Sequence, residues 1–572
     1  MKSTPLLLAT LSLALLSPLR AADAPRPNVV LFLIDDMNVD AIGCFGGDPK
    51  LTPNLDRMAA EGIRFTNAHV STTVCTPSRY SFITGRYAGR SHSKSYRDEI
   101  GNGQGNPEFN MALEADNKNA AAVLQQAGYF TGMVGKVHIF SETDKPEFYA
   151  DGAGPVETER RGMKAGPEAD RIFQQNHEWA CRYVRSLGFD FAKHIHHGNL
   201  EKPYNRHNPE WTLDAALEFL ESRKSEPDRP FFLHYCPTLT HGGGRQFAEA
   251  LEQLDITGEG RREPTEGMKS QRQRFQDWLK ANTVTDSDAI GIAWVDFQVG
   301  LVLEKLRELG RDENTLFIFS PDHGRDSKSA LYTSNGTQVP MIMRWPGGIA
   351  ARQTCEALVQ NIDIAPTLFE LAGAGVPEDY PLDGRSLLPL LKGTTPDDWR
   401  DDLYFEIGAA RAVLTQAGAK YIAIRHTADD LAEIKRCSLE RLPAELSPTK
   451  RLGIGVRAVD QPGFYDEDQL YDLGTDPHET KNLATDPAHA AQLEEMQARL
   501  RTYLKRVGTP YGDFIPGPGT AAPGQIADAI ALARKLDVQG KTVTVPEELA
   551  KQHPERNGKP RGKRKRKQND EE

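Results

Sequence analysis

A doubly wound, mostly parallel α/β sheet followed by a smaller C-terminal α+β domain is the fold this sequence predicts, on three observations. Unbroken apolar runs, the first at Asn28–Ile34, lead into charged residues or histidines. Strands covered on both faces read this way, and their carboxyl ends are where open α/β sheets place ligands. Between the runs lie stretches with apolar residues at helical spacing, and alternating strands and helices build parallel sheets. From about residue 400 the runs become short and β-like, before one long helical stretch.

The 572 residues carry a net charge of -11, with 39% hydrophobic and 26% charged side chains. That profile fits a soluble globular chain with one large and one smaller domain, and no nucleic-acid partner is expected. Residues 1–24 open with Lys2, continue through a run of Leu, Ala and Ser, and end in Ala21, Ala22 and Ala24. The run is too short to span a bilayer and ends in small residues. It reads as a cleavable secretory signal, and the protein as exported to a periplasm or the medium. No later run is long enough for a transmembrane segment.

A main α/β domain is expected over 25–398, a small α+β domain over 399–513, and a strap and tail over 514–572. The first run ends in Asp35 and Asp36. Runs at 131–135, 231–235 and 315–319 lead respectively into Lys136 and His138, toward His241, and into Asp322 and His323. Helices are expected over 52–61 and 294–309, the second with Val295, Val299, Val302 and Leu306 on one face. In the small domain, β runs at 410–414 and 420–424 precede a helix over 488–507. Residues 514–525, rich in Pro, Gly and Ala, mark a linker or surface strap. The basic run at 559–567 is expected to be extended and solvated, first as a solubilising end with no partner, and otherwise as a tether for a polyanionic sulfated polymer or an anionic envelope surface. Six scattered cysteines show no paired spacing, so neither a disulfide framework nor a zinc ribbon is indicated.

The most specific local signal is Cys75-Thr76-Pro77-Ser78-Arg79, followed by Thr84-Gly85-Arg86. Pro77 suits the first turn of a helix, whose positive end would then face position 75 and favour an anionic substrate. Taken alone, the motif leaves open a buried structural cysteine or a low-pKa thiol. Asp35, Asp36, Asp322 and His323 lie at two strand ends far apart in sequence. Carboxylates favour a hard cation, calcium or magnesium, while the imidazole admits a softer one. Arg79, Lys136 and Lys328 supply positive charge, and His138 and His241 proton transfer near neutral pH. Singly, such lysines are usually solvated and such histidines core residues.

On these residues the sequence resembles the type I, formylglycine-dependent sulfatases of the alkaline-phosphatase superfamily, whose CxPSR signature directs oxidation of the cysteine. The resemblance runs in order through 28–46, 52–86, 128–138, 230–241, 314–324, 339–347, 363–393 and 469–483. It implies an alkaline-phosphatase-like fold and a maturation enzyme that converts Cys75 to formylglycine. It implies a metal, calcium first and magnesium or another divalent ion second, on Asp35, Asp36, residue 75, Asp322 and His323. The implied catalytic set is Cys75, Arg79, Lys136, His138, His241 and Lys328. Lys328 matches a lysine four residues before a tyrosine, here Tyr332. After that tyrosine similar sulfatases continue with Glu-Gly-Gly and an Arg, whereas this chain has Thr333-Ser334-Asn335-Gly336-Thr337-Gln338 and one more residue in the loop.

The implied reaction is hydrolysis of an organic sulfate ester, and export favours a sulfated carbohydrate. The competing readings are a phosphonate or phosphodiester hydrolase on the same scaffold and a non-catalytic binder of sulfated glycans. Segments 91–117, 141–208 and 242–285 have no match. There His92, Arg97, His177, His196, His197 and Arg245 are candidates to line a sugar pocket, against the ordinary alternative of surface residues.

Overall fold

The computed structural model describes residues 26–100, 104–140, 156, 162–449 and 461–536. The expected leader at 1–24 and the basic run at 559–567 lie outside the described residues.

The larger part of the chain is built on an eight-stranded sheet. In chain order its strands are β1 (Asn28–Ile34), β2 (Ile63–Phe65), β3 (Phe130–Lys136), β4 (Phe191–His196), β5 (Phe231–Cys236), β6 (Thr315–Pro321), β7 (Met341–Arg344) and β8 (Gln353–Cys355). Their spatial order is β8-β2-β7-β6-β1-β5-β3-β4. Every neighbouring pair is parallel except the two that β7 makes, with β2 and β6.

The sequence of β1 shows why it lies at the centre. Val29, Leu31 and Leu33 belong to one core cluster, while Val30, Phe32 and Ile34 belong to the other. With side chains alternating between faces and every position from 29 to 34 apolar, the strand is buried on both faces. Each such side chain contributes about 1.5–3 kcal/mol on burial. Leu316 and Ile318 of β6 face one core and Phe317 and Phe319 the other, in register with β1. Helices Cys75–Thr84, Ala120–Gln126, Pro167–Arg185 and Ile364–Ala372 cover the first face. Helices Pro53–Ala60, Pro209–Ser222 and Ser287–Glu308 cover the second.

The C-terminal region forms an antiparallel meander of β9 (Asp402–Ile407), β10 (Ala410–Thr415), β11 (Ala419–Ile424) and β12 (Asp468–Asp472). The Ala490–Val507 helix packs Met496, Leu500 and Leu504 against it, beside Tyr404, Val413 and Tyr421. After turns over the expected strap, Ala527–Ala533 forms a short helix whose Ile530 and Ala533 enter the core on the other side of the meander. All six cysteines are free thiols. Among the described residues, no helix is long and apolar enough to cross a membrane.

Candidate active site

The register of the central strands brings the first acidic groups together. Ile34 of β1 sits beside Pro321 of β6, so the residues that follow leave the sheet side by side. The Asp322 N–H donates to the Ile34 carbonyl at 2.9 Å and the Asp36 N–H to Asp322 Oδ1 at 3.2 Å. Asp36 turns away from β1 with a φ of +52°, a conformation that non-glycine residues hold where surrounding contacts fix it. Here Thr240 does so, its hydroxyl donating to the carbonyls of Asp35 and Asp36 at 3.2 and 2.8 Å.

Cys75 is the first residue of a ten-residue helix in which every position is buried. Its N-terminus therefore opens onto the strand ends, where free backbone N–H groups favour negative charge. Gly85, with φ +66°, ends the helix in the left-handed conformation that glycine permits. Ser78, one turn in, donates its hydroxyl to the Asp322 carbonyl and accepts from Asn361 Nδ2 at 3.2 Å. The helix is thereby tied to the end of β6.

Asp35, Asp36, Cys75, Asp322 and His323 each offer one ligand atom, and these atoms all lie within 4.8 Å of one another. Cys75 Sγ is 3.5 Å from Asp35 Oδ1 and 3.3 Å from His323 Nε2. His323 Nδ1 lies 2.9 Å from the Gly324 carbonyl, which can only accept. A proton on Nδ1 is held there, and Nε2 faces the carboxylates, 3.3 Å from Asp36 Oδ1.

Three cations close the cluster. Arg79 reaches Asp322 Oδ2 from Nε at 3.0 Å and from Nη2 at 2.9 Å. Lys136, the last residue of β3, donates to Asp35 Oδ2 at 2.5 Å and to Asn199 Oδ1 at 2.8 Å. Lys328 contacts both Asp36 oxygens at 2.9 Å and lies 3.8 Å from Cys75 Sγ. Burial works against charge on Asp35, but Lys136, His241, Arg79 and Lys328 outweigh it and hold the carboxyl well below its usual range. Asp36 is lowered in the same way, burial being outweighed by Lys328 and His323. Burial, reinforced by Asp35, pushes the Cys75 thiol up, so an ionised thiol is not the form this environment favours.

His138 and His241 border this charge cluster. His138, at φ +59°, is pushed well below the usual histidine range by burial and then by Lys136 and Arg79. Burial also lowers His241, with Asp35 opposing. The His241 segment is held by His207, whose Nδ1 is 2.9 Å from Thr238 Oγ1 and whose Nε2 is 3.0 Å from the His241 carbonyl. Of the pocket candidates, His177, His196 and His197 line one hollow together with Asn199, the partner of Lys136. His92 and Arg97 instead pair with each other at 3.2 Å, and Arg245 is exposed. Sequence reasoning missed Asn199, His207 and Asn361. None lies in a recognisable motif, and each works through a partner distant in sequence.

Comparison with known proteins gives the family. The Sulfatase family profile matches residues 27–374. The N-acetylglucosamine-6-O-sulfatase of Bacteroides thetaiotaomicron is 26% identical, over 88% of this chain and 92% of that protein. The ulvan-active sulfatase of Formosa agariphila is also 26% identical, over 85% of this chain and 82% of its own. A solved structure in complex with its substrate D-glucosamine-2-N,6-O-disulfate shares the fold at a TM-score of 0.53. It is 22% identical and covers 84% of this chain and 98% of its own. The chain belongs to the sulfatase family of the alkaline-phosphatase superfamily and is a sulfuric ester hydrolase.

Proposed function

We propose that the chain removes sulfate from a sulfated carbohydrate outside the cytoplasm, using a formylglycine at position 75 and a calcium-type cation. One observation carries the reading: three carboxylates, an imidazole and Cys75 converge within 4.8 Å, with Arg79, Lys136 and Lys328 in contact with them. The donor set fits a divalent ion held by Asp35, Asp36, Asp322, His323 and residue 75, and its three carboxylates favour calcium or magnesium. When bound, such an ion would neutralise sulfate oxygens and lower the pKa of a hydroxyl at position 75.

The chain's own groups supply the rest. Asp322 accepts a proton from one hydroxyl of the hydrated residue 75, while Arg79 holds both the diol and Asp322. That oxygen attacks sulfur as the bond to the leaving alcohol breaks, and Lys136 and Lys328 balance the charge on the other sulfate oxygens. His241 gives its proton to the leaving oxygen, the step that a histidine beside the cluster can supply as a general acid. A serine or thiol would stop at the sulfated stage. The second hydroxyl of a hydrated aldehyde lets the neutral His138 draw off a proton as the carbon–oxygen bond to sulfate breaks, releasing sulfate and restoring the aldehyde.

The carbohydrate part of the proposal is supported by relatives named for N-acetylglucosamine and ulvan, and export by residues 1–24. The test pairs mass spectrometry of the position-75 peptide with turnover of 4-nitrophenyl sulfate, sulfated mono- and oligosaccharides and bis(4-nitrophenyl) phosphate. Conversion of Cys75 with turnover of a sulfated sugar is expected. Activity in protein containing only unmodified cysteine, or preference for the phosphodiester, would overturn the proposal.

A further inference from the structure

Lys328 belongs to the main domain by sequence but is held by the small one. The loop that carries it leaves β6 at Asp322 and rejoins the main sheet at Met341. On the way, Ala330, Leu331 and Tyr332 enter the core of the C-terminal meander, beside Leu403, Phe405, Ile407 and Ile422. The Tyr332 hydroxyl donates to Gln469 Oε1 of β12 at 3.0 Å. The next five residues, Thr333–Thr337, form one wide turn in which Ser334 and Asn335 leave helical angles. This is also where the chain departs from the pattern of similar sulfatases.

The first N–H groups of such a turn have no partner within it, and here they meet a buried carboxylate. Glu479 Oε2 accepts from the Thr333 N–H at 2.7 Å, and Oε1 lies 3.4 Å from the Thr333 hydroxyl. The Ser334 N–H also faces this carboxylate and favours its charge. Glu479 itself is wholly buried and held at φ +55°. Its counter-charge is Lys420 of β11, whose ammonium lies 3.3 Å from Thr333 Oγ1 and 4.2 Å from the centre of the Phe405 ring. Burial raises the Glu479 pKa and lowers that of Lys420, and each opposes the shift of the other. Two buried charges meeting at one turn specify its position more strongly than apolar contact would.

We propose that Glu479 and Lys420 are positioning residues for the sulfatase reaction, fixing the Thr333 turn and through it the Lys328 ammonium beside Asp36 and position 75. The mechanical link is short. Ser327 is pinned to the turn, its N–H donating to the Asn335 carbonyl and its hydroxyl to the Ser334 carbonyl, both at 2.9 Å. Ser329 is pinned on the other side, its N–H donating to the carbonyl of Thr73, two residues before Cys75, at 3.1 Å. Lys328 lies between these anchors, so a shift of the turn moves the ammonium relative to Cys75.

The inference rests on the reading of Lys328 as a neutraliser of sulfate charge, and a double-mutant cycle separates the two. The kcat/KM of Glu479→Ala, Lys328→Ala and the double variant is measured on 4-nitrophenyl sulfate or, where turned over faster, a sulfated monosaccharide, with thermal midpoints alongside. Glu479→Ala should cost about tenfold in the wild-type background and under about twofold when Lys328 is already gone. Glu479→Gln, which keeps an oxygen toward the Thr333 N–H, should recover most of the loss. Equal losses in both backgrounds, or no loss from Glu479→Ala, would overturn the positioning role while leaving that of Lys328 intact. If Lys328→Ala alone leaves kcat/KM unchanged, the reading of Lys328 falls and the inference with it. Should Glu479→Ala fail to fold, Lys420→Met carries the same cycle with the same criteria.

Discussion

Two regions of the molecule bury charge, and they do so differently. Between the helices Pro209–Ser222, Glu266–Asn282 and Ser287–Glu308, Glu210 meets Arg272 at 2.8 Å. Glu210 also accepts from Trp294 Nε1 at 3.0 Å, while Arg272 Nη1 donates to the carbonyls of Ala250 and Leu251. One anion faces one cation and the remaining polar capacity is used, as a purely structural ion pair requires. The cluster around Cys75 is as deeply buried, yet it gathers three carboxylates, three cations and a thiol at the ends of β1, β3 and β6. It also keeps capacity in reserve: His323 Nε2 faces the carboxylates, and His138 Nδ1 is buried without a hydrogen-bond partner among the described residues. Burial of charge is therefore not what marks a site. What marks it is several charges of both signs converging at strand ends with polar atoms left unpaired.

The sharpest break in this comparison comes from position 75. Cys75→Ala should lower kcat/KM by at least about 10⁴-fold, the scale seen when a nucleophile is removed. The thermal midpoint should stay within a few degrees, because a small side chain is trimmed and no charge is left unpaired. A large loss of stability would place Cys75 in the structural class with Glu210. Metal removal acts on the same side. A chelator should abolish turnover, and calcium at about 100 times its dissociation constant should add about 2.7 kcal/mol of stability in a melt. Asp36→Asn should lose both responses, and a calcium-induced shift that survives this variant would place the ion elsewhere.

Glu210→Ala is the mirror experiment. Removing one partner strands Arg272 among apolar side chains, which costs about 3–5 kcal/mol. Activity per folded molecule should be unchanged. Denaturant unfolding and kcat on the same preparation check both halves, and a fall in kcat at low temperature would show that the pair reaches the site.

How much of this was legible in the sequence follows from distance along the chain. Residues 29–34 of the first strand form one continuous apolar run, so both its double burial and the exit of Asp35 and Asp36 at its end could be read directly. The same held for β6 and the pair Asp322 and His323. Strands of three residues, such as Ile63–Phe65 and Gln353–Cys355, carry too few positions for a period to show. Asn199, His207, Asn361, Lys420 and Glu479 were illegible for another reason. Each is an ordinary polar residue whose role comes from a partner on another element, as Glu479 meets Thr333 across 146 positions. The departure after Tyr332 could be seen in the sequence, but not the carboxylate that fills it.

The smallest effect concerns a buried group that belongs to neither region. His69 lies wholly inside the fold, with Nε2 3.0 Å from Asn67 Oδ1 and Nδ1 3.4 Å from Thr337 Oγ1. Burial, and then the charge of Lys420, push its pKa down to about 3, against about 6.5 in an unfolded chain. Between those values the unfolded state binds a proton that the folded state refuses, so stability falls as pH falls. This one group should contribute up to about 1.4 kcal/mol per pH unit. His194, His196 and His234 are lowered to about 3 as well, each first by burial, so the wild-type slope should exceed that of a single group. His69→Gln removes the titration and will itself cost stability near neutral pH. The informative quantity is therefore the slope of unfolding free energy between about pH 6 and pH 4, which should flatten by about 1.4 kcal/mol per unit. Urea unfolding at several pH values measures it. An unchanged slope would mean that His69 is protonated inside the fold, and its neighbours Asn67 and Thr337 would then have to accept from both ring nitrogens.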